Sequence, residues 1–260
     1  MANESRPRVS HRSLNTQDEH QLPASSKGPF QYNPLDKSGT EFRILILHPK
    51  SADENDQSIQ CSLVHKEFRE TPAYEALSYM WGDQTVSYSG EVKVNGFSFP
   101  VGHNLGCALA QLRNEGDRAV WIDAICIHQT NDDEKSHQIQ LMPFIYERAK
   151  KCLIWLGEIS TDLDISILEA HPWDRTYGTK KSDKKKNPLA DEDLTVLSRL
   201  AKNPYWHRVW IIQEIGLARK LEILYGTYLT SFSAFTSRLK YADSLQDCIP
   251  LKLQVQLDRK

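Results

Sequence analysis

The feature that most constrains this chain is an alternation of short apolar runs with amphipathic segments between residues 74 and 226. The apolar runs predict strands at about 74–80, 119–126, 152–156 and 221–225, and the intervening segments carry apolar residues at helical spacing. Strands that alternate with helices along a chain form a parallel sheet covered by helices. We therefore predict an α/β domain with a largely parallel central sheet flanked by helices.

Two β-hairpins and a capped helix are predicted to accompany this sheet. The apolar run 42–47 is followed by an alternating segment, 59–64, that can pair back on it as an N-terminal hairpin. In 91–101, an Asn-Gly pair stands between alternating apolar residues, which is a strong signal for a hairpin insertion. The helical pattern that follows has Asn104 in position to cap its first turn.

The domain boundaries follow from changes in composition. Residues 1–40 contain few aliphatic side chains and cannot bury enough surface to offset the entropy of ordering, so we expect a disordered arm. The folded domain is predicted over 41–228, with a lysine-rich loop insertion at about 174–190. Residues 229–260 are short and polar, and we expect a C-terminal tail there.

Charge and cysteine usage favour a cytoplasmic protein. With 32 basic and 34 acidic residues the formal charge is −2, so no overall field attracts nucleic acid, and we expect no nucleic-acid partner. No signal-peptide pattern and no run of about 18 apolar residues occurs, so no membrane span is expected. Five cysteines at scattered spacings predict free thiols and no metal site.

Three ordered blocks resemble the signature of fungal heterokaryon-incompatibility (HET) domains. They are 74–83, 121–129 with its continuation to 157, and 205–214. The resemblance implies an intracellular effector domain in non-self recognition and programmed cell death. The chain departs from the family pattern at His128, where the family usually has Asn or Asp.

A more distant resemblance is to the TIR domains of innate-immunity proteins, which have a flavodoxin-like sheet and in some branches cleave NAD. Residues 210–214 resemble the stretch that holds the catalytic glutamate of those enzymes. The resemblance implies a TIR-like fold, Glu214 as the catalytic residue, and NAD as a substrate, with no permanently bound cofactor.

The chemistry of Glu214 leaves two interpretations open. Breaking the bond between nicotinamide and ribose creates an oxocarbenium-like centre that a nearby carboxylate stabilises. Glu214 lies in an otherwise apolar stretch, where a carboxylate needs a partner or has its pKa raised. The structural alternative is an ion pair with an arginine such as Arg208 or Arg148.

A loop after the strand at 74–80 carries the first candidate ligand-binding residues. Glycine lets the backbone approach a ligand and tryptophan stacks on a flat ring, which favours a cofactor-binding role for this loop. The alternatives are a core anchor for the tryptophan and a turn cap for the aspartate. The candidates in this loop are Ser78, Trp81, Gly82 and Asp83.

Two further candidates come from other segments. Asp123 interrupts an apolar run, and a buried carboxylate requires either a hydrogen-bonding network or a site. Trp210 belongs to an aromatic group with Tyr205 and Trp206 that is typical of a core, and it also begins the stretch 210–214 that carries the TIR resemblance.

Three functions compete at this point. The first is a TIR-like NAD hydrolase, which requires Glu214 and the loop after the first strand to meet at one pocket. The second is a non-enzymatic signalling module that acts by homo-oligomerisation or by binding an unknown protein partner. The third and least supported is a DNA-associated protein that uses the lysine run at 180–186.

Overall fold

The computed structural model describes residues 29–36, 39–53, 56–70, 72–159 and 191–239. In these ranges the strands are β1 (Glu41–Leu47), β2 (Ile59–Glu67), β3 (Glu75–Tyr79), β4 (Val92–Val94), β5 (Phe97–Ser98), β6 (Arg118–Trp121), β7 (Cys152–Trp155), β8 (Leu221–Tyr225) and β9 (Tyr228–Ser231). The helices are α1 (His103–Leu112), α2 (Asp123–Cys126), α3 (Asp132–Arg148), α4 (Asp191–Ala201), α5 (Ile211–Leu217) and α6 (Phe232–Leu239), with 3-10 turns at Phe68–Glu70 and Pro204–His207.

The described strands form one mixed sheet in the order β5-β4-β2-β1-β6-β3-β7-β8-β9. The α/β class and the covering helices predicted from the sequence are confirmed. The expectation of a largely parallel sheet is confirmed only for the four central strands. The whole sheet is mixed, because β1 pairs antiparallel with both β2 and β6, and β4–β5 and β8–β9 are also antiparallel. An apolar run predicts a strand but not the direction in which it pairs. The N-terminal hairpin is part of the sheet, because β1 pairs with β6.

A parallel block of four strands remains at the centre. β3 lies between β6 and β7, and β7 pairs in turn with β8. Counted along the chain, the order is second, first, third, fourth, which is the beginning of the flavodoxin-like strand order. β7 and β8 are buried along their whole length, as expected for parallel strands covered on both faces.

The predicted hairpins are both present. In the first, Leu45 pairs with Leu63 across β1 and β2. In the second, Asn95 and Gly96 have φ of 53° and 82°, so both take the left-handed conformation that a two-residue hairpin turn requires. β4 also pairs in parallel with β2, so the insertion extends the sheet.

The strand predicted at about 119–126 is shorter than expected. β6 ends at Trp121, and Asp123 starts the short helix α2, in which Cys126 N donates to Ile122 O at 2.7 Å. A continuous apolar run does not distinguish a buried strand from a buried helical turn, which explains the error. The change of direction matters because it brings Asp123 to the end of the strand.

The core lies between the sheet and its helices. Trp121, Trp155 and Trp206 are among the largest fully buried side chains. α3 packs against α5, and α6 packs against β8 and β9. α3 continues through Pro143 and is capped by the Asn131 side chain, which accepts from Glu134 N at 3.0 Å.

The ordered structure reaches beyond the predicted domain on both sides. Residues 29–36 lie against the domain, where the Tyr32 hydroxyl donates to Ile125 O at 2.9 Å. After residue 228, β9 and α6 continue the fold to Leu239. Residues 1–28, the lysine-rich insertion and the tail from 240 lie outside the described residues.

Cys61, Cys107 and Cys126 are free thiols, as the sequence predicted, and Cys248 lies outside the described residues.

Candidate functional site

A cleft of about 490 Å³ opens beyond the carboxyl ends of β3 and β6. This is the edge at which open α/β sheets bind ligands, and the volume is in the range of small-molecule sites. We call it the strand-end cleft. It is lined by Met80, Trp81, Gly82, Asp123, Ile127, Gln129, Lys135, Ile139, Met142, Arg208, Trp210 and Glu214.

The loop after β3 forms one wall of the strand-end cleft. Gly82 has φ of +69°, a conformation that other residues adopt only with strain. Asn104 does not cap α1, which has Gly102 at its N-cap. Its side-chain amide instead donates to Met80 O at 2.6 Å and accepts from Trp155 Nε1 at 2.7 Å. These bonds fix the loop to the core.

Trp81 and Asp123 meet across the strand-end cleft. The indole Nε1 donates to Asp123 Oδ2 at 3.0 Å, and Asp123 Oδ1 accepts from Ala124 N at 2.7 Å. Burial, and then the negative charge of Glu214, raise the pKa of Asp123 to about 6. The two hydrogen bonds and the charge of Arg208 lower this pKa, but they have the smaller effect. Asp123 is therefore a carboxyl that exchanges its proton close to neutral pH.

Glu214 lies at the floor of the strand-end cleft, with only 1% of its surface exposed. Arg208 holds it with two bonds, from Nη1 to Oε2 at 3.1 Å and from Nη2 to Oε1 at 3.2 Å. Although burial alone would lower the pKa of Arg208, the carboxylate beside it raises that pKa. The ion pair considered from the sequence is therefore present, and both of its members line the cleft.

Ser78 supports Glu214 from beneath. Its hydroxyl donates to Glu214 Oε2, and because that proton is engaged, the hydroxyl of Tyr205 must donate to Ser78 Oγ. Ser78 is buried and does not line the strand-end cleft. Its part in the site is to orient the glutamate, not to contact a ligand.

Trp210 and Asp83, two further candidates from the sequence, differ in their position relative to the strand-end cleft. Trp210 is not part of the predicted aromatic core, because it is 48% exposed and lines the strand-end cleft. Tyr205 and Trp206 are buried. Asp83 is exposed and does not line the cleft. Its carboxylate accepts from Thr85 N at 2.8 Å and from Thr85 Oγ1 at 2.6 Å, which fits the turn-capping interpretation.

His128 also lies away from the strand-end cleft. Its ring stacks on Tyr32 with 4.5 Å between the ring centroids. Its backbone N donates to Glu134 Oε1 at 2.9 Å. The position at which this chain departs from the family pattern is thus part of the contact with residues 29–36.

Lys135 on α3 was not among the sequence candidates, yet it lines the strand-end cleft with Ile139 and Met142. The three residues stand at i, i+4 and i+7 of the helix and therefore lie on one face. The spacing that predicted the apolar face thus also places the positive charge of Lys135 beside it. Gln129, which donates to Asp123 O at 2.7 Å, completes the same wall.

The fold and the strand-end cleft define an α/β domain with a ligand-sized site that contains two carboxyls and an ion pair. The family model described as "Heterokaryon incompatibility protein (HET)" matches residues 74–214, more than half of the chain. The chain belongs to this family. The match begins next to β3 and ends at Glu214, so it contains all the residues that line the cleft.

Two curated relatives match part of the chain. Heterokaryon incompatibility protein 6, OR allele, of Neurospora crassa is 35% identical over 140 residues, which cover 49% of this chain and 20% of the relative. Vegetative incompatibility protein HET-E-1 of Podospora anserina is 32% identical over 94 residues, 35% of this chain and 7% of the relative. The aligned regions thus span a fifth or less of these relatives. No solved structure matches.

Among the residues that the structure describes, no helix combines the length and the apolar character that a membrane crossing requires.

Proposed function

We propose that this chain is an effector domain of fungal non-self recognition that acts in heterokaryon incompatibility and programmed cell death by hydrolysing NAD in the strand-end cleft. Membership of the family and the names of the two relatives support the biological role. The reaction rests on one observation: Glu214, Asp123 and the indoles of Trp81 and Trp210 converge on a single cleft.

In the reaction, the bond between ribose C1′ and the nicotinamide nitrogen breaks. The bonding electrons go to the pyridinium ring, so nicotinamide leaves as a neutral molecule. Water then adds to the ribosyl cation and loses a proton. Glu214, which is only 1% exposed, stabilises the cation electrostatically. Arg208 and Ser78 hold this carboxylate in a fixed orientation.

The remaining residues of the strand-end cleft have binding roles. The indoles of Trp81 and Trp210 offer flat faces to the nicotinamide or adenine ring. Asp123 accepts from ribose hydroxyls when it is ionised. Lys135 supplies a positive charge for the pyrophosphate.

The first prediction tests Glu214. Glu214→Gln should lower NAD turnover by at least about a hundredfold, since one electrostatic stabiliser is worth about 3 kcal/mol in the transition state. Turnover is measured by nicotinamide release at a temperature where the variant is folded. Because Gln leaves Arg208 with an unmatched charge, a lower melting temperature is also expected.

A matched control separates the two effects. Glu222 on β8 is also a buried, paired glutamate, bound by Lys151 Nζ and Lys220 Nζ at 2.7 Å each, and it does not line the strand-end cleft. Glu222→Gln should lower the melting temperature and leave turnover per folded molecule unchanged. Undiminished turnover in folded Glu214→Gln would remove this residue from the mechanism.

A second candidate function is a non-enzymatic signalling module that acts by self-association. Its support is the exposure of three apolar side chains in or next to α5: Val209 is 78%, Trp210 48% and Leu217 40% exposed. If this function is correct, the concentrated wild-type protein self-associates in sedimentation but consumes no NAD. Val209→Asp then abolishes the association, whereas exposed Leu229→Asp, on β9, serves as the control.

A further inference from the structure

A second cleft of about 460 Å³ lies between α1 and the segment after β7. Three side chains of different chemistry meet in its wall: the imidazole of His103, the thiol of Cys107 and the carboxylate of Glu158. One ligand atom from each lies within 4.8 Å of the other two. Nothing in the proposed NAD chemistry uses these residues.

We propose that His103, Cys107 and Glu158 form a zinc site with three protein ligands and one open coordination position. This revises the sequence expectation that the chain has no metal site. The sequence lacks the paired-cysteine spacing on which that expectation depended, but His and Cys at i and i+4 of a helix are also a ligand pair, as in helical metal motifs.

The distances fit a four-coordinate ion. His103 Nε2 is 3.1 Å from Glu158 Oε2 and 3.5 Å from Cys107 Sγ. Tetrahedral zinc, with bonds of about 2.0 Å to nitrogen and oxygen and about 2.3 Å to sulfur, holds its ligand atoms roughly 3.3–3.6 Å apart. The two measured distances are close to these separations, and the side chains of His103 and Glu158 are exposed at the surface.

The local fold explains why the three side chains meet. His103 and Cys107 stand one turn apart on the same face of α1. Glu158 follows Gly157, whose φ of +105° turns the chain at the end of β7 and whose carbonyl accepts from Gly226 N at 2.8 Å. The cluster therefore joins the first turns of α1 to a fixed bend beside β7 and β8.

The ligand types select the metal. A thiolate and an imidazole favour zinc over magnesium or calcium, which take oxygen ligands. The thiolate and the carboxylate together neutralise the ion, so the positive end of the α1 dipole does not oppose binding. The fourth position of the ion takes water or an anionic group.

Zinc binding to the full chain tests the proposal. The protein is purified under reducing conditions, stripped with a chelator and titrated with zinc chloride. One equivalent should bind, and zinc should raise the melting temperature, because a ligand of the folded state stabilises it. Cobalt, as a spectroscopic probe, should give a thiolate-to-cobalt charge-transfer band.

The variants locate the site. Cys107→Ser and His103→Asn should each weaken zinc binding at least about tenfold, since even residues around a metal site that do not ligate it contribute this much. Cys107→Ser should also remove the charge-transfer band. His207→Asn, at an exposed histidine outside the cluster, is the control and should bind like wild type. No saturable binding, or equal binding by wild type and Cys107→Ser, would overturn the proposal.

Discussion

At the scale of single residues, the two carboxyls of the strand-end cleft differ in how their charge is balanced. Glu214 has an arginine, which binds both oxygens, and a serine hydroxyl. Asp123 has an indole N–H and one backbone N–H, and no cation bonds to it directly among the described contacts. The sequence predicted that both would need partners, because both stand in apolar runs. It could not predict that the Tyr205 hydroxyl would bond to Ser78 beside Glu214, since residues so distant in the chain meet only through the tertiary fold.

Asp123 should lower the free energy of unfolding as the pH rises from about 4 to about 6. Its pKa in the folded state is about 6, above the unfolded value, so the folded protein keeps a proton that the unfolded chain has lost. The resulting loss is about 1–2 kcal/mol, less than the full shift implies, because solvent partly reaches the group. Urea unfolding at about pH 4.5 and pH 7 measures this. From the lower to the higher pH, the free energy of unfolding should decrease less for Asp123→Asn than for wild type. Equal decreases in the two proteins would contradict the raised pKa.

At the scale of elements, the sequence predicted the existence of the strands better than their ends and neighbours. The Asn-Gly turn between β4 and β5 was predictable because it depends on two adjacent residues. The end of β6 was not, because the same apolar run continues into α2. Asn104 has the chemistry of a helix cap, but the fold uses its amide to join Met80 to Trp155, a contact that local sequence does not encode.

The Asn131 side chain, which caps α3, gives a prediction for this helix. Asn131→Ala should lower the free energy of unfolding by about 1 kcal/mol, because the first turn loses the acceptor for Glu134 N. Asn131→Ser keeps a capping oxygen and should recover most of the loss. Denaturant unfolding of the three proteins measures this. If the alanine and serine variants are equally destabilised, capping is not the cause.

At the scale of the whole molecule, the N-terminal segment 29–36 completes the core around a buried charge. Arg43 binds Glu134 through Nη1 at 2.6 Å and Nη2 at 2.9 Å, and Nη2 also donates to Asn33 O at 2.7 Å. The ring of Tyr32 lies 4.8 Å from the Arg43 guanidinium. Sequence composition could not predict this, because the segment has few aliphatic residues and is held by polar and aromatic contacts.

Two truncations test the importance of this segment. Removal of residues 1–28 should leave the free energy of unfolding unchanged, because their composition predicts that they bury little apolar surface. Removal of residues 1–36 should lower it by about 2 kcal/mol or more, because it uncovers Arg43 and removes two partly buried hydrogen bonds. Denaturant unfolding of both proteins beside the full chain measures the difference. Equal stability of the two truncated proteins would show that the contacts of residues 29–36 contribute little.

The position of β7 in the sheet has a consequence during synthesis. β7 takes one parallel partner, β3, from the chain before it and the other, β8, from the chain well after it. Parallel partners separated by a long crossover pair slowly, because the loop entropy is lost before the contacts form. While the ribosome makes the intervening segment, the apolar edge of β7 has no strand beside it, and open edges of this kind recruit other chains. The nascent protein is therefore most prone to aggregate after β7 has emerged and before Leu221 follows.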